Sequence, residues 1–194
     1  MATSVFDTIL TKGVRAGQVP ARTQKARTWY RQTARKTTRG AAPGAIMRGG
    51  DTLRNRVGLG RMYSFFYDPK HKKTLPYYDT FPLIFPFATT TDGFMGINMH
   101  YLPLRLRANL MDQIYDLASN DRYDDSTRLK LTYITLKAAS KIYHPTVKRY
   151  LKSHVKSRFL LIPSSDWDIA LFLPTERFEK ASKSEVWRDA RRKP

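Results

Sequence analysis

Three aspartates, Asp68, Asp79 and Asp92, with Lys70 and Lys72 close to the first, are the residues whose types could hold a divalent metal for phosphodiester cleavage. Each sits beside Pro69, Thr80 or Gly93, where a turn is expected, and turn chemistry alone accounts for an aspartate there. A metal-dependent DNA-processing enzyme is therefore kept only as an alternative. The acidic run over 121–125 reads as an inter-helix loop and helix cap rather than a calcium site. His71, His100, His144 and His154 have no partner at ligand spacing and read as surface or structural residues. The chain has no cysteine, which removes thiolate catalysis, disulfides and the usual zinc sites. It also lacks a Walker-type glycine loop, a G-x-S-x-G elbow and a paired-histidine motif. No catalytic residue, metal or cofactor is assigned.

The cations offer a different chemistry. Residues 1–61 carry thirteen Lys and Arg against two acids, Asp7 and Asp51, so well over half of the +19 net charge lies in under a third of the chain. Large apolar residues are few in this stretch, so it is expected to be an arm that cannot fold alone and needs an anionic partner. Its candidate contacts are Arg15, Arg22, Lys25, Arg27, Arg31, Arg35, Lys36 and Arg39. Trp29 and Tyr30, set among these cations, suit either stacking on bases or anchoring on a protein neighbour. A second cationic patch comprises Lys148, Arg149, Lys152, Lys156 and Arg158, five basic residues over eleven positions with no acid among them.

The elements that must position these residues divide the chain into a basic extended or helical arm over 1–60, an antiparallel β segment over 61–102, and a helical segment over 103–194 packed on it. In the arm, helices are expected at 4–12 and 21–38, the second with basic residues all around its axis. Gly40, Gly44, Gly49 and Gly50 read as a joint, and Gly58 and Gly60 as the entry to the folded part. Three antiparallel strands, part of a small barrel in one version, are expected within 61–102. The segment Phe81 to Phe87 is placed at an edge, because Pro82 and Pro86 cannot donate ladder hydrogen bonds. Asp92-Gly93 marks a hairpin. Pro103 opens a helix to 118 with an apolar stripe of Leu106, Leu110, Ile114 and Leu117, which Asn120 closes. Asp125 or Ser126 caps a second helix that stops before His144-Pro145. A third is read over 145–157, on a narrow face of Val147, Leu151 and Val155. Ser164 or Ser165 caps a short helix carrying Trp167, Ala170 and Leu171. The capping box Ser182-Lys-Ser-Glu185 opens a final one reaching toward Lys193. The fold class is thus α+β, a small three-stranded antiparallel sheet followed by helices, with a long basic N-terminal arm.

With 41% apolar and 12% aromatic residues, a core is affordable within 194 residues. No run of eighteen apolar residues and no secretory leader is present, so the chain reads as soluble with no membrane partner.

Three blocks carry a resemblance: Arg61-Met-Tyr-Ser-Phe-Phe-Tyr-Asp-Pro-Lys70, Leu75-Pro-Tyr-Tyr-Asp-Thr-Phe-Pro-Leu83 and Asp92-Gly-Phe-Met-Gly-Ile-Asn-Met-His-Tyr-Leu-Pro103. With Lys148-Arg-Tyr-Leu-Lys-Ser-His154 and Ile169-Ala-Leu-Phe-Leu-Pro174, they are similar to small basic proteins of tailed, especially contractile-tailed, bacteriophages. The resemblance implies a virion component of the kind labelled structural or DNA-end-protecting, in head, neck or baseplate, within a large symmetric assembly of other virion proteins. It supplies no catalytic residues. The expectation is a non-enzymatic virion protein, assembled in the host cytoplasm, that attaches to DNA or neighbouring subunits without reading sequence. A ribosomal or other ribonucleoprotein component is the remaining alternative, since such proteins also pair a small domain with a basic arm.

Overall fold

Ser4 opens the first helix, α1 (Val5–Arg15), with a reciprocal cap: its hydroxyl accepts from the Asp7 N–H at 3.1 Å while the Asp7 carboxylate accepts from Ser4. Thr23 caps α2 (Gln24–Lys36) with a single bond, its hydroxyl accepting from the Ala26 N–H at 3.1 Å. This is a computed structural model, describing residues 4–20, 23–48, 52–118, 122 and 124–192. Arg22, Gly49, Gly50, Asn120, Asp121 and Lys193 lie outside the described residues.

The expected free arm is instead folded onto the rest of the chain. At about 100° per residue, Ala26, Arg27, Tyr30, Arg31 and Ala34 of α2 share one face, and all five are buried. Two small alanines on that face let α2 lie close against a short helix, α6 (Trp167–Phe172), whose six residues are all buried. Gly13 brings α1 against α2, since a Cβ there would fall 2.1 Å from the Tyr30 hydroxyl oxygen. Ile9, Tyr30, Ala34, Ala41 and Ile46 all belong to the main core, the last held by α3 (Pro43–Ile46). Sparse hydrophobicity was overcome because a few apolar residues were spaced to meet one surface.

The expected three-stranded sheet is also corrected. Six strands form one antiparallel sheet in the order β1-β7-β2-β4-β5-β6. They are β1 (Leu53–Arg54), β2 (Met62–Ser64), β4 (Leu83–Thr89), β5 (Gly93–Asn98), β6 (Val147–Leu151) and β7 (Phe159–Ile162). A separate pair joins β3 (Tyr78–Asp79) to β8 (Phe178–Glu179). The helix read over 145–157 is β6 with a 3-10 turn at each end. Val147 and Leu151 are four apart, a spacing that shares a face in a helix and in a strand alike, so periodicity could not separate them.

The strand expected at an edge lies inside the sheet: β4, which contains Pro86 and begins just after Pro82, is flanked by β2 and β5. The Pro86 carbonyl accepts from the Gly60 N–H at 2.9 Å. A strand residue's N and O face the same side, so the missing donor of Pro86 points toward Gly60, before β2 begins, and not toward β5. A register shift between Pro86 and Ala88 completes the accommodation.

Alternation gives the sheet two apolar faces. Met62, Leu83, Phe85, Ile97, Leu160 and Ile162 face the helices, including α4 (Leu104–Ala118) and α5 (Asp125–Ile142, capped by Asp124). Tyr63, Phe65, Ile84, Phe94, Tyr150 and Phe159 form a second, mostly aromatic cluster. Phe65 is its hub, meeting Tyr67, Phe94, Tyr150 and Phe159 edge-on with ring centroids 5.0–6.1 Å apart. Backbone bonds from Asp68 to His154 and from Lys156 to Phe66 curl the sheet around that cluster. The capping box at Ser182 and Glu185 opens the last helix, α7 (Lys183–Arg192).

Candidate nucleic-acid interface

The two arginines at the centre of α2 face inward. The Arg31 guanidinium donates through Nε to Asp168 at 2.6 Å and through Nη2 to Asp112 at 2.7 Å, and Arg27 reaches Asp112 at 3.4 Å. Both stack over aromatic faces, Arg27 over Tyr115 at 5.1 Å and Arg31 over Phe172 at 5.7 Å. Burial pushes the Asp168 carboxyl up and Arg31 pulls it back, while Asp112, nearer solvent, is held low against burial by Arg31 and Arg27. Removing one partner from such a buried pair costs on the order of 3–5 kcal/mol. Arg27 and Arg31 therefore fasten α2 to the core. Tyr30, whose hydroxyl donates to the Gln18 carbonyl at 3.0 Å, is buried beside them, and Trp29 is half-buried with its ring edge-on to Tyr30. One signal was available in the sequence: Asp168, in the middle of Trp167-Asp-Ile-Ala-Leu-Phe172, needs a cation wherever that apolar run is buried.

The other candidate contacts of the N-terminal region among the described residues are exposed: Arg15, Lys25, Arg35, Lys36 and Arg39. By the same helical angle, Lys25 and Lys36 lie on the face of α2 opposite its buried stripe, and Arg35 flanks that stripe. Arg22 lies outside the described residues.

The second cationic patch is brought together along β6, at the edge of the six-stranded sheet. Lys148 is half-buried with its ammonium 4.3 Å above the Tyr101 ring. Arg149 is exposed and pairs at 2.7 Å with Asp92, which lies in the turn between β4 and β5. Both side chains are more than half exposed, so the pair contributes at most ~1 kcal/mol and a phosphate can compete for the arginine. Lys152 and Lys156 are exposed on the turn and chain that follow. Arg158 is exposed but engaged, donating to the Leu53 carbonyl at 2.9 Å and to Asn55 at 3.1 Å.

The three aspartates considered for metal chemistry are each committed elsewhere. Asp68 binds Lys72 at 2.8 Å, Asp92 binds Arg149, and Asp79 is buried. Asp79 accepts from the Phe81 N–H and the Asn98 amide and lies 2.7 Å from His100 Nδ1; His100 Nε2 is in turn 3.1 Å from the Thr175 hydroxyl. This buried network was not visible in the sequence, since its members are up to 96 positions apart, from Asp79 to Thr175. Beside it, fully buried Arg107 donates to the carbonyls of His100, Leu102 and Leu171 and pairs with Glu176 at 2.8 Å. Among the described residues, no three His, Cys, Asp or Glu side chains are grouped to hold a metal ion, and no helix is long and apolar enough to cross a membrane.

A family model described as the phage T4 terminal DNA protecting protein matches residues 5–190 of this chain. No curated protein and no solved structure matches it.

Proposed function

We propose that this chain, which belongs to the phage T4 terminal DNA protecting protein family, covers the ends of a phage DNA duplex through its cationic surfaces, as a bound cap and not as an enzyme. The match spans both cationic regions, so the whole folded unit is the family's unit. The observation that carries the reading is the sorting of charge. Where cations enter the fold, as at Arg27, Arg31 and Arg107, they meet Asp112, Asp168 and Glu176. Lys25, Arg35 and Lys36 of α2 and Lys152 and Lys156 after β6 instead face solvent, and Arg149 is held only in an exposed pair, which leaves a surplus of positive charge within a chain of net charge +19. Such a surface binds phosphate oxygens by counterion release, with no base-reading element required.

Protection then follows from occupancy: an end held under Lys25, Arg35, Lys36 and the Lys148–Arg158 strip is sterically closed to an exonuclease. The protein reaches this position as part of the virion, beside other virion proteins in head, neck or baseplate; the sequence resemblance to virion components of tailed phages supports that. The test measures binding of a linear blunt duplex by fluorescence anisotropy, with a closed circular duplex as competitor. Affinity is expected to fall about a thousandfold between about 50 and about 200 mM salt, the drop for roughly six neutralised phosphates. Linear DNA should also survive exonuclease digestion in proportion to occupancy. Binding that ignores salt, or a circular competitor as effective as a linear one, would overturn the end-capping reading.

A further inference from the structure

A groove of about 440 Å³ opens where edge strand β6 meets β3 and the turn that precedes it. Its lining combines two chemistries. Tyr77, Tyr78 and Tyr101 supply aromatic surface, and Lys70, Lys148 and Arg149 supply positive charge. Tyr101 forms part of the floor, held edge-on by Phe178 of β8 at 5.1 Å and tilted against Tyr77 at 5.9 Å. Tyr77 and Tyr78 are half-buried, with part of each ring presented to solvent. The Lys148 ammonium sits between the two kinds of surface, 4.3 Å above the Tyr101 ring.

The walls are built in place. Lys180, at φ +69°, is the one non-glycine residue with positive φ among the described residues. That backbone turns its ammonium under the preceding loop, where it donates to the carbonyls of Lys72, Lys73 and Leu75, using all three of its hydrogens. The Tyr78 ring lies 6.0 Å from the same ammonium. The aromatic side of the groove is thus clamped to β8 before anything binds, which lowers the ordering cost of a ligand.

We infer that this groove takes an unstacked terminal nucleotide of DNA, the base against Tyr77 and Tyr78 and its phosphates on Lys70, Lys148 and Arg149. The volume is that of a small-ligand cleft and excludes a double helix, so what enters from DNA is a base already free of the stack. At a duplex end, frayed pairs and overhangs are such bases. Tyrosine faces accept any base and cations at the rim fix the backbone, the combination by which single strands are held without sequence preference. Asp92 competes with a phosphate for Arg149 only from an exposed pair, Lys70 and Lys148 add positive charge at the same rim, and Asp79 is held inside by Asn98 and His100. The inference rests on the end-capping reading and adds that the protein prefers ends with unpaired nucleotides.

The experiment compares the full-length protein and its Tyr78→Ala and Tyr78→Phe variants on a blunt duplex, the same duplex with a thymidine overhang, and free oligothymidylate. A second arm places 5-iododeoxyuridine in the overhang and maps photocrosslinks by mass spectrometry. The native protein should bind the overhang duplex about tenfold more tightly than the blunt one. Tyr78→Ala should lose that preference while Tyr78→Phe keeps it, and crosslinks should fall on Tyr77 or Tyr78. Equal binding of blunt and overhang duplexes overturns the inference and leaves end-capping intact. Crosslinks elsewhere, or displacement from the groove by polyglutamate but not by oligothymidylate, also overturn it and make the groove an acidic-protein site. Oligothymidylate crosslinked at Tyr77 or Tyr78 without any binding to duplex ends supports the groove and overturns end-capping.

Discussion

Arg107 and Glu176 show what a single residue must satisfy to be charged inside this protein. Arg107 is fully buried, and three backbone carbonyls and one carboxylate accept from it. Burial alone would raise the Glu176 carboxyl, but the charges of His100, Arg107 and Lys183 outweigh it and bring it down to about 2. A carboxylate depressed in the folded state binds its proton more readily unfolded. The stability it contributes is therefore present above the ordinary carboxylate range and lost as pH falls from about 4.5 toward about 2. Urea unfolding across that window should show a loss on the order of 3 kcal/mol attributable to this group. In Glu176→Gln the acid-dependent part should be smaller, although the variant is less stable at neutral pH because Arg107 is left buried without its counter-charge. Parallel acid profiles for the two proteins would remove Glu176 from the account.

At the scale of elements, close packing at glycines holds the sheet edge that bears the cations. Gly93 begins β5 opposite Leu151, and a Cβ there would lie 1.9 Å from the Tyr150 carbonyl oxygen, so β6 must move away for any side chain to fit. Gly93→Ala should destabilise by about 1–3 kcal/mol, read as a lower urea midpoint. Gly44→Ala, in α3 with nothing within 4 Å of the added carbon, should be neutral or gain up to ~1 kcal/mol. A Gly93→Ala protein as stable as the native one would show that β6 is not held as described. Most helices were legible in the sequence from their periodicity and, at Ser182, from a cap acting within three residues, although α5 is capped by Asp124 and not by the expected Asp125 or Ser126. β6 was not, because a strand needs a partner, and β5 is some fifty residues earlier in the chain.

For the whole molecule, the distribution of charge decides what is scaffold and what is surface. A basic N-terminal third that was only a tail would be trimmed by trypsin without consequence. With α1 and α2 packed on α6, cleavage under native conditions should spare the bonds after Arg27 and Arg31, which are buried, while exposed sites such as Lys25 and Arg39 are cut more readily. Gel and mass analysis of a short digest measures this, and rapid cutting after Arg31 with the remainder still cooperatively folded would restore the free-tail view.

Local chemistry in the sequence determined the charge surplus, the helix caps, the Asp92-Gly93 hairpin and the absence of the familiar catalytic motifs sought, because each depends on residue type or on neighbours a few positions away. Tertiary structure alone decided which cations remain at the surface. Arg27 and Lys25 are two positions apart in one basic segment, yet one faces Asp112 and the other solvent, and only the packing of α2 on α6 distinguishes them. Elsewhere in the fold, the meeting of distant segments set Asp79 beside His100 and gathered Lys148 with Tyr77 and Tyr101 around one groove. Burial forces Arg27, Arg31 and Arg107 to meet carboxylates, and the cations left outside make up the positive surface of the molecule.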